Sequence, residues 1–300
     1  MKVLVIGASS FTGRHFCEYA RLNGAQVEEV SLRNLKEVVA AIERNPTHII
    51  NFAALNVVAP SWQYPSDYLF TNVYALTSIV DMLKTKPLER FVQVSTPEIY
   101  GSQKGWTDDK EPIQARPSTP YAVSRFAAEM MMGVYCMQYG FPVVVTRGAN
   151  VYGRGQQLYR LIPKVIASIK HGIKFPLEGG GSSQRGFVHV RDTVDGLWRV
   201  LNNGVIGTAY HIAAREMQPI ISIVAHVCDK MKVRLADTIE NVPERHGKDA
   251  AYMLNSGRIR AELGWQDTVS MDDGIDEVIA WIERDWETLK TQPLQYEHRP

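Results

Sequence analysis

Apolar and polar positions along the chain fall into short blocks whose period switches between that of a strand and that of a helix. Lys2 to Ile6 is a β-branched run, and after Gly7-Ala8-Ser9-Ser10-Phe11-Thr12-Gly13 the stretch Arg14 to Asn23 has helical character. Gln26 to Ser31 reads as a second strand. Leu35 to Arg44 reads as a helix with Leu35, Val38, Val39 and Ile42 on one face; Asn34 and Glu37 are spaced as a capping box, and Pro46 blocks continuation. His48 to Ala54 is the next strand, so only one strand and one helix fit between it and the first helix. Asp67 to Lys84 is helical, with Asn72 inside it. Arg90 to Val94 reads as a buried parallel strand, Tyr121 to Tyr139 as a long helix and Phe141 to Thr146 as another buried strand. Strands alternating with helices predict an α/β fold with a doubly wound parallel sheet.

After Gly153 the pattern changes. Arg160 to about His171, a stretch to about Asn202, Ile220 to Met231, Arg258 to Trp265 and Met271 to Lys290 read as helices. Thr208 to Ala213 and Val233 to Glu240 read as strands, and the polar end, Thr291 to Pro300, is expected to fray. The expected division is a dinucleotide-binding domain over 1–153, with a returning segment near 187–213, and a smaller C-terminal α/β part over 154–300.

A glycine-bearing turn between a strand and a helix is the context in which such a motif has meaning. Gly7 permits the tight turn and Gly13 lets the helix pack on the strand. The helix then offers free N–H groups and a partial positive charge to a pyrophosphate. Ser10 stands where a dinucleotide fold usually has a third glycine; its Cβ holds the backbone slightly back, and its hydroxyl could bond a phosphate. At the end of the second strand, where an acidic residue usually grips a ribose, the candidates are Ser31 and Arg33. Arg33 could pair a 2′-phosphate, stack on adenine or simply lie on the surface, which leaves NAD and NADP both open.

Charge narrows the partners. The 300 residues carry 33 Lys plus Arg against 32 Asp plus Glu, so no net field favours nucleic acid or a membrane surface. No apolar run approaches the roughly 18 residues of a spanning helix. Cys17, Cys136 and Cys228 are odd in number and far apart, which reads as reduced core thiols in a cytoplasmic protein. The opening residues lack a signal peptide's length and cleavage site. His189 and His211 read as core or strand residues, and no metal site is expected.

The chemistry collects at two stretches. Ser95-Thr96-Pro97-Glu98-Ile99-Tyr100-Gly101 follows a buried strand, so Ser95, Thr96 and Glu98 emerge at its carboxyl end, where open α/β sheets present ligands. Tyr121 opens a helix and Arg125 follows four places later. A hydroxyl, a carboxylate and a phenol can thus converge on one bound molecule.

These motifs resemble the extended short-chain dehydrogenase/reductase superfamily in its nucleotide-sugar epimerase/dehydratase branch. The resemblance runs from Gly7-x-x-Ser10-x-x-Gly13 to Glu262-Leu263-Gly264-Trp265, and the C-terminal signatures are most similar to dTDP-glucose 4,6-dehydratases. It implies a Rossmann-type fold, a homodimer built on the Asp67 to Lys84 and Tyr121 to Tyr139 helices, and a nucleotide-activated sugar as substrate. The implied cofactor is NAD, with NADP not excluded. Its implied contacts are Gly7, Ser9, Ser10, Phe11, Thr12 and Gly13, then Ser31, Leu32 and Arg33, then Phe52, Ala53, Ala54 and Asn72, with Tyr121 and Arg125. The family's Thr-Asp-Glu run reads Thr96-Pro97-Glu98 here, and its Tyr-x-x-x-Lys pair reads Tyr121 to Arg125.

In the implied mechanism Tyr121 accepts the proton of the sugar C4 hydroxyl while hydride leaves, Thr96 orients that oxygen, and Glu98 removes the C5 proton from the resulting ketone. Substrate-binding residues so implied are Ser95, Asn150, Arg160, Arg185 and Arg245, the arginines holding a diphosphate by charge-assisted bonds. Two departures bear on the reaction. Pro97 has no proton for the leaving C6 hydroxyl, and Arg125 puts a planar guanidinium where the family has lysine. A dehydratase is the first expectation; a 4-epimerase, a nucleotide-uronic acid decarboxylase and a catalytically impaired binding protein are the alternatives.

Overall fold

The computed structural model describes the chain except for residues 103–104, 110–114, 245–250, 252 and 299–300. Six parallel strands form its central sheet. β1 (Lys2–Ile6) is followed by α1 (Phe11–Leu22), β2 (Gln26–Val30), α2 (Leu35–Glu43) and β3 (His48–Asn51). Then come α3 (Pro65–Leu69), α4 (Leu76–Leu83), β4 (Arg90–Ser95), α5 (Pro120–Tyr139) and β5 (Val143–Gly148). The sixth strand, Ala209–Ile212, returns late in the chain to pair with β5. The order across the sheet is sixth strand, β5, β4, β3, β1, β2. The single strand and helix foreseen between α1 and β3 make β2 the sheet's edge. The strand order reverses around β1, which opens a crevice at the carboxyl ends of β1 and β3.

Both faces of the sheet are covered, as parallel sheets require. On one face Phe16, Val194, Leu197 and Trp265 pack over Val3, Val5 and Ile50. On the other, Val38, Ile79, Val80, Ala128 and Met132 pack over Leu4, Ile6, Ile49 and Phe91. A third cluster, including Ile162, Val165, Val224, Val227, Ile275 and Val278, forms around the later helices. Asn34 caps α2, accepting from the Glu37 N–H at 3.4 Å, which is the backbone half of the foreseen box.

The helix foreseen over Asp67 to Lys84 is interrupted. Between α3 and α4 the turn Phe70–Ala75 widens to π geometry. The widened turn carries Asn72, whose buried amide is bonded to neighbouring segments. π turns of this kind commonly mark sites where a side chain is re-aimed. The strand foreseen over Val233 to Glu240 is half helix: Leu235–Thr238 forms a turn, and only then does Ile239–Val242 pair in parallel with Phe175–Glu178. Lys232, with φ of +58°, breaks the extended path just before it. The fraying expected of the polar end does not hold for its residues up to His298, which is docked on Asp67 and Tyr64. No helix among the described residues is long and apolar enough to cross a membrane.

Candidate active site

The glycine turn closes chain on chain. Gly7 has φ of +80°, and a Cβ there would lie 2.7 Å from the Ala53 nitrogen. A Cβ on Gly13 would lie 2.5 Å from the Gly7 carbonyl oxygen. Ser10 caps α1 by accepting from the Gly13 N–H at 3.1 Å. Its oxygen is therefore committed to the helix, while its own proton is still available to donate. Helix geometry leaves the Phe11 and Thr12 N–H groups at the amino end of α1, with Ser9 exposed beside them.

The next two strand ends lie alongside. After β2, the Ser31 hydroxyl accepts from the Arg33 N–H at 3.3 Å, Leu32 packs on the core and Arg33 is exposed. After β3, Phe52 donates its N–H to the Ile6 carbonyl at 2.8 Å, Asn51 holds the Ala53 N–H at 3.0 Å, and Ala54 is half-buried. Asn72 lies behind these strand ends. It is 1% exposed; its amide protons go to the Leu55 carbonyl at 3.0 Å and the Ser124 hydroxyl at 2.9 Å. Its oxygen accepts from the Leu55 N–H at 2.9 Å. Asn72 thus ties the loop after β3 to α5.

Four of the expected residues lie on the two elements at the end of β4. Thr96 caps the short 3-10 turn Pro97–Tyr100 by accepting from the Glu98 N–H at 3.4 Å, and Tyr121 and Arg125 are buried on α5. Burial pushes the Tyr121 phenol above its ordinary pKa. The Arg125 charge pulls it down, the Glu98 charge adds to the rise, and the Thr96 hydroxyl and the Arg160 charge pull it down again. Arg125 is 3% exposed and donates Nη2 to the Val94 carbonyl, while its Nε and Nη1 are buried with no hydrogen-bond partner. Buried donors of this kind call for acceptors. Hydroxyls of a ribose entering along the β1–β3 crevice would satisfy them, so the residues present fit a dinucleotide.

The expected substrate residues divide. Asn150 lies on the short strand Asn150–Tyr152, which pairs with Phe187–His189, and its N–H bonds the Gly186 carbonyl at 3.1 Å. That pairing brings it beside Arg185, which is buried and donates Nη1 to the Gln184 carbonyl at 2.7 Å. Arg160 precedes the helix Leu161–His171 and donates to Asn56 Oδ1 at 3.0 Å. Arg245 lies outside the described residues. The Ser95 hydroxyl, at the end of β4, donates its proton to Glu129.

That bond leads into a buried network with no counterpart in the sequence reading. Glu129 on α5 pairs with Arg147 on β5 at 2.7 Å, with side chains 4% and 3% exposed. Arg147 donates Nη1 to the Tyr100 hydroxyl at 2.5 Å, and that hydroxyl meets His211 Nε2 at 2.8 Å. Burial pushes the Tyr100 phenol up to about 12 and His211 down to about 3, so both are neutral at physiological pH. Tyr100 closes the turn that carries Glu98, and Ser95 precedes it. The turn is fastened at both ends to one ion pair. Helical spacing on α5 places Glu129 one turn beyond Arg125, a signal that became meaningful only with Arg147 opposite it.

Comparisons with known proteins agree with this geometry. The model of the NAD dependent epimerase/dehydratase family matches residues 3–213. The dTDP-D-glucose 4,6-dehydratase of Mus musculus is 30% identical over 258 residues, spanning 84% of this chain and 72% of that one. A trifunctional UDP-glucose 4,6-dehydratase/UDP-4-keto-6-deoxy-D-glucose 3,5-epimerase/UDP-4-keto-L-rhamnose-reductase of Arabidopsis thaliana is 30% identical over 243 residues; the match spans 80% of this chain and only 36% of the plant protein. Among solved structures, a dTDP-glucose 4,6-dehydratase of Streptomyces venezuelae with NAD bound has a TM-score of 0.88 at 27% identity, covering 96% of this chain and 98% of that one. With a glycine-turn sheet, a Thr–Tyr–Arg cluster and matches over most of its length, this chain belongs to the NAD dependent epimerase/dehydratase family.

Proposed function

We propose that the chain is an NAD-dependent nucleotide-sugar dehydratase that works through transient oxidation at C4 and deprotonation at C5. The observation that carries this reading is that Thr96 and Glu98 sit on the turn after β4 while Tyr121 and Arg125 are buried on α5, Arg125 donating to the Val94 carbonyl of that strand. NAD, when bound, supplies the hydride acceptor for C4 and the hydride that completes the reaction. Gly7 to Gly13 and the amino end of α1 would hold its pyrophosphate, and Arg125 its nicotinamide ribose.

Tyr121 accepts the C4 hydroxyl proton, with Thr96 bonded to the same oxygen. Burial raises its pKa, so a nearby positive charge must lower it for this step, and Arg125, with Arg160, supplies that charge. The C4 ketone acidifies C5–H, and Glu98 takes that proton. Because Pro97 has no ionisable group, the same Glu98, now protonated, returns its proton to the departing C6 oxygen, which leaves as water. Arg160, Arg185 and Asn150 would grip the diphosphate.

Pro97 also favours a second reading, a 4-epimerase or a nucleotide-uronic acid decarboxylase, since neither needs an acid at that position. The separating experiment is incubation with dTDP-glucose, UDP-glucose and UDP-glucuronate. A product with the alkaline absorbance of a 4-keto-6-deoxy sugar supports the dehydratase. Inverted C4 or released carbon dioxide selects the other reading, and binding without turnover selects an impaired binding protein.

The division of labour follows from the same reading. Residues 1–153 with the returning Ala209–Ile212 strand would bind the dinucleotide, and the rest would bind the nucleotide sugar. We also assign a homodimer. Phe70 and Tyr74 between α3 and α4, and Met130, Val134 and Met137 on α5, are exposed apolar side chains on adjacent helices, Met137 being 82% exposed. Patches of this kind mark interfaces. A single-subunit mass in solution would refute the dimer. The three cysteines are all free thiols, in keeping with a cytoplasmic setting.

A further inference from the structure

The C-terminal residues Leu294 to His298 dock on two separate segments, one beside Arg160 and one beside Tyr68. Leu294 packs into the core of the later helices. Beyond it, the Tyr296 ring meets Tyr159 edge-on at 5.5 Å. His298 stacks on Tyr64 at 4.2 Å with the rings 3° from parallel, and its Nε2 lies 2.9 Å from Asp67 Oδ2. Its side chain is only 12% exposed. One anchor thus lies beside Arg160, whose guanidinium stands over the Tyr159 ring at 5.3 Å. The other lies on α3 beside Tyr68.

Tyr68 carries this contact to the reacting oxygen. It is fully buried, donates its hydroxyl to the Val57 carbonyl at 2.5 Å, and meets Tyr121 edge-on at 6.1 Å. His298 lies nearly parallel to its other side at 6.2 Å. Tyr296 in turn meets the His298 ring at 6.3 Å, so the rings from Tyr159 to Tyr121 form one continuous series.

We propose that Tyr296 and His298 form a brace between the Arg160 side and the Tyr121 side of the pocket, and that this brace is a specificity-determining element. It rests on the nucleotide-sugar reading, in which Arg160 holds a diphosphate and Tyr121 takes a sugar hydroxyl proton. Holding those two groups at a fixed separation selects a hexopyranose joined directly to a nucleoside diphosphate. His298 acts through Tyr68 and is a positioning residue; it does not touch the reacting atoms.

The test is His298→Ala in the full chain, with His298→Phe to keep the stack on Tyr64 while dropping the bond to Asp67. The brace predicts that kcat/KM for dTDP-glucose falls about tenfold or more in His298→Ala and recovers in part in His298→Phe. Binding of NAD and of thymidine diphosphate alone, measured calorimetrically, should stay within about twofold. An unchanged kcat/KM overturns the brace, and so does an equal loss of all three, which would mark general loosening. If the wild type turns over no nucleotide hexose, the dehydratase/epimerase reading fails separately. The brace is then judged on the alkaline titration of Tyr121, read as the difference between proteins with and without Tyr121→Phe. Water admitted by His298→Ala should lower that titration midpoint, and an unmoved midpoint overturns the brace.

Discussion

Arg147 and Glu129 lie 2.7 Å apart beneath the end of β4, one on β5 and one on α5, almost wholly shielded from water. Removing one member leaves the other charge buried and unpaired. Glu129→Ala should therefore cost roughly 3–5 kcal/mol of stability. The combined replacement Glu129→Met with Arg147→Leu should cost less than either Glu129→Met or Arg147→Leu alone. Thermal unfolding of those three variants checks this, and an additive double loss would mean that the pair is not coupled.

Tyr100 joins that pair to the turn bearing Glu98. Tyr100→Phe keeps the ring and removes its bonds to Arg147 and His211. Loosening the turn should slow C5 proton exchange by about ten- to a hundredfold, with the C4 oxidation step much less affected. Single-turnover absorbance of the reduced cofactor, set against solvent exchange at C5, separates the two steps.

Gly13 faces the Gly7 carbonyl so closely that any Cβ must push the turn open. Gly13→Ala should leave the sheet folded and abolish co-purification of the dinucleotide. Mass spectrometry of the denatured protein's supernatant reads this directly. Retained NAD at wild-type occupancy would show that the turn is not its site.

Asp109 accepts from the His211 N–H, and burial raises its carboxyl to about 6, with the Asp108 charge adding to the rise and Arg258 opposing it. Between the ordinary value near 3.8 and that raised value, the folded chain binds more protons than the unfolded one. Its contribution to stability therefore falls as pH rises through that window. Asp109→Asn retains an acceptor for His211 and should flatten this part of the stability profile, measured by denaturant unfolding between pH 4 and pH 7. A profile unchanged from wild type would place the proton elsewhere.

The sheet was legible because β-branched runs and glycine punctuation report directly on strands and turns. Lys2 to Ile6, the Asn34 cap and the 20-residue α5 are local signals, and each stands where the pattern put it. Thr96, Glu98, Tyr121 and Arg125 were legible for another reason, that their order and spacing match a known family. What the sequence concealed was long-range pairing of polar groups. Ser95 and Asn72 sit beside ligand-facing positions, and nothing local shows that Glu129 and Leu55 claim their hydrogen bonds. The tail misled for the same reason. Composition marks Thr291 to Pro300 as polar, but ring contacts of Tyr296 and His298 and one imidazole bond, all to residues far upstream, hold it as far as His298.

The central claim is that Glu98 removes a proton from C5 after Tyr121 has helped to oxidise C4. Its most direct test is the reaction of dTDP-glucose in deuterium oxide, followed by NMR of the product for wild type and Glu98→Gln. Wild type should place one deuterium at C5, whereas Glu98→Gln should still reduce the bound cofactor but leave C5 fully protiated. A Glu98→Gln enzyme that incorporates deuterium at the wild-type rate would contradict the account.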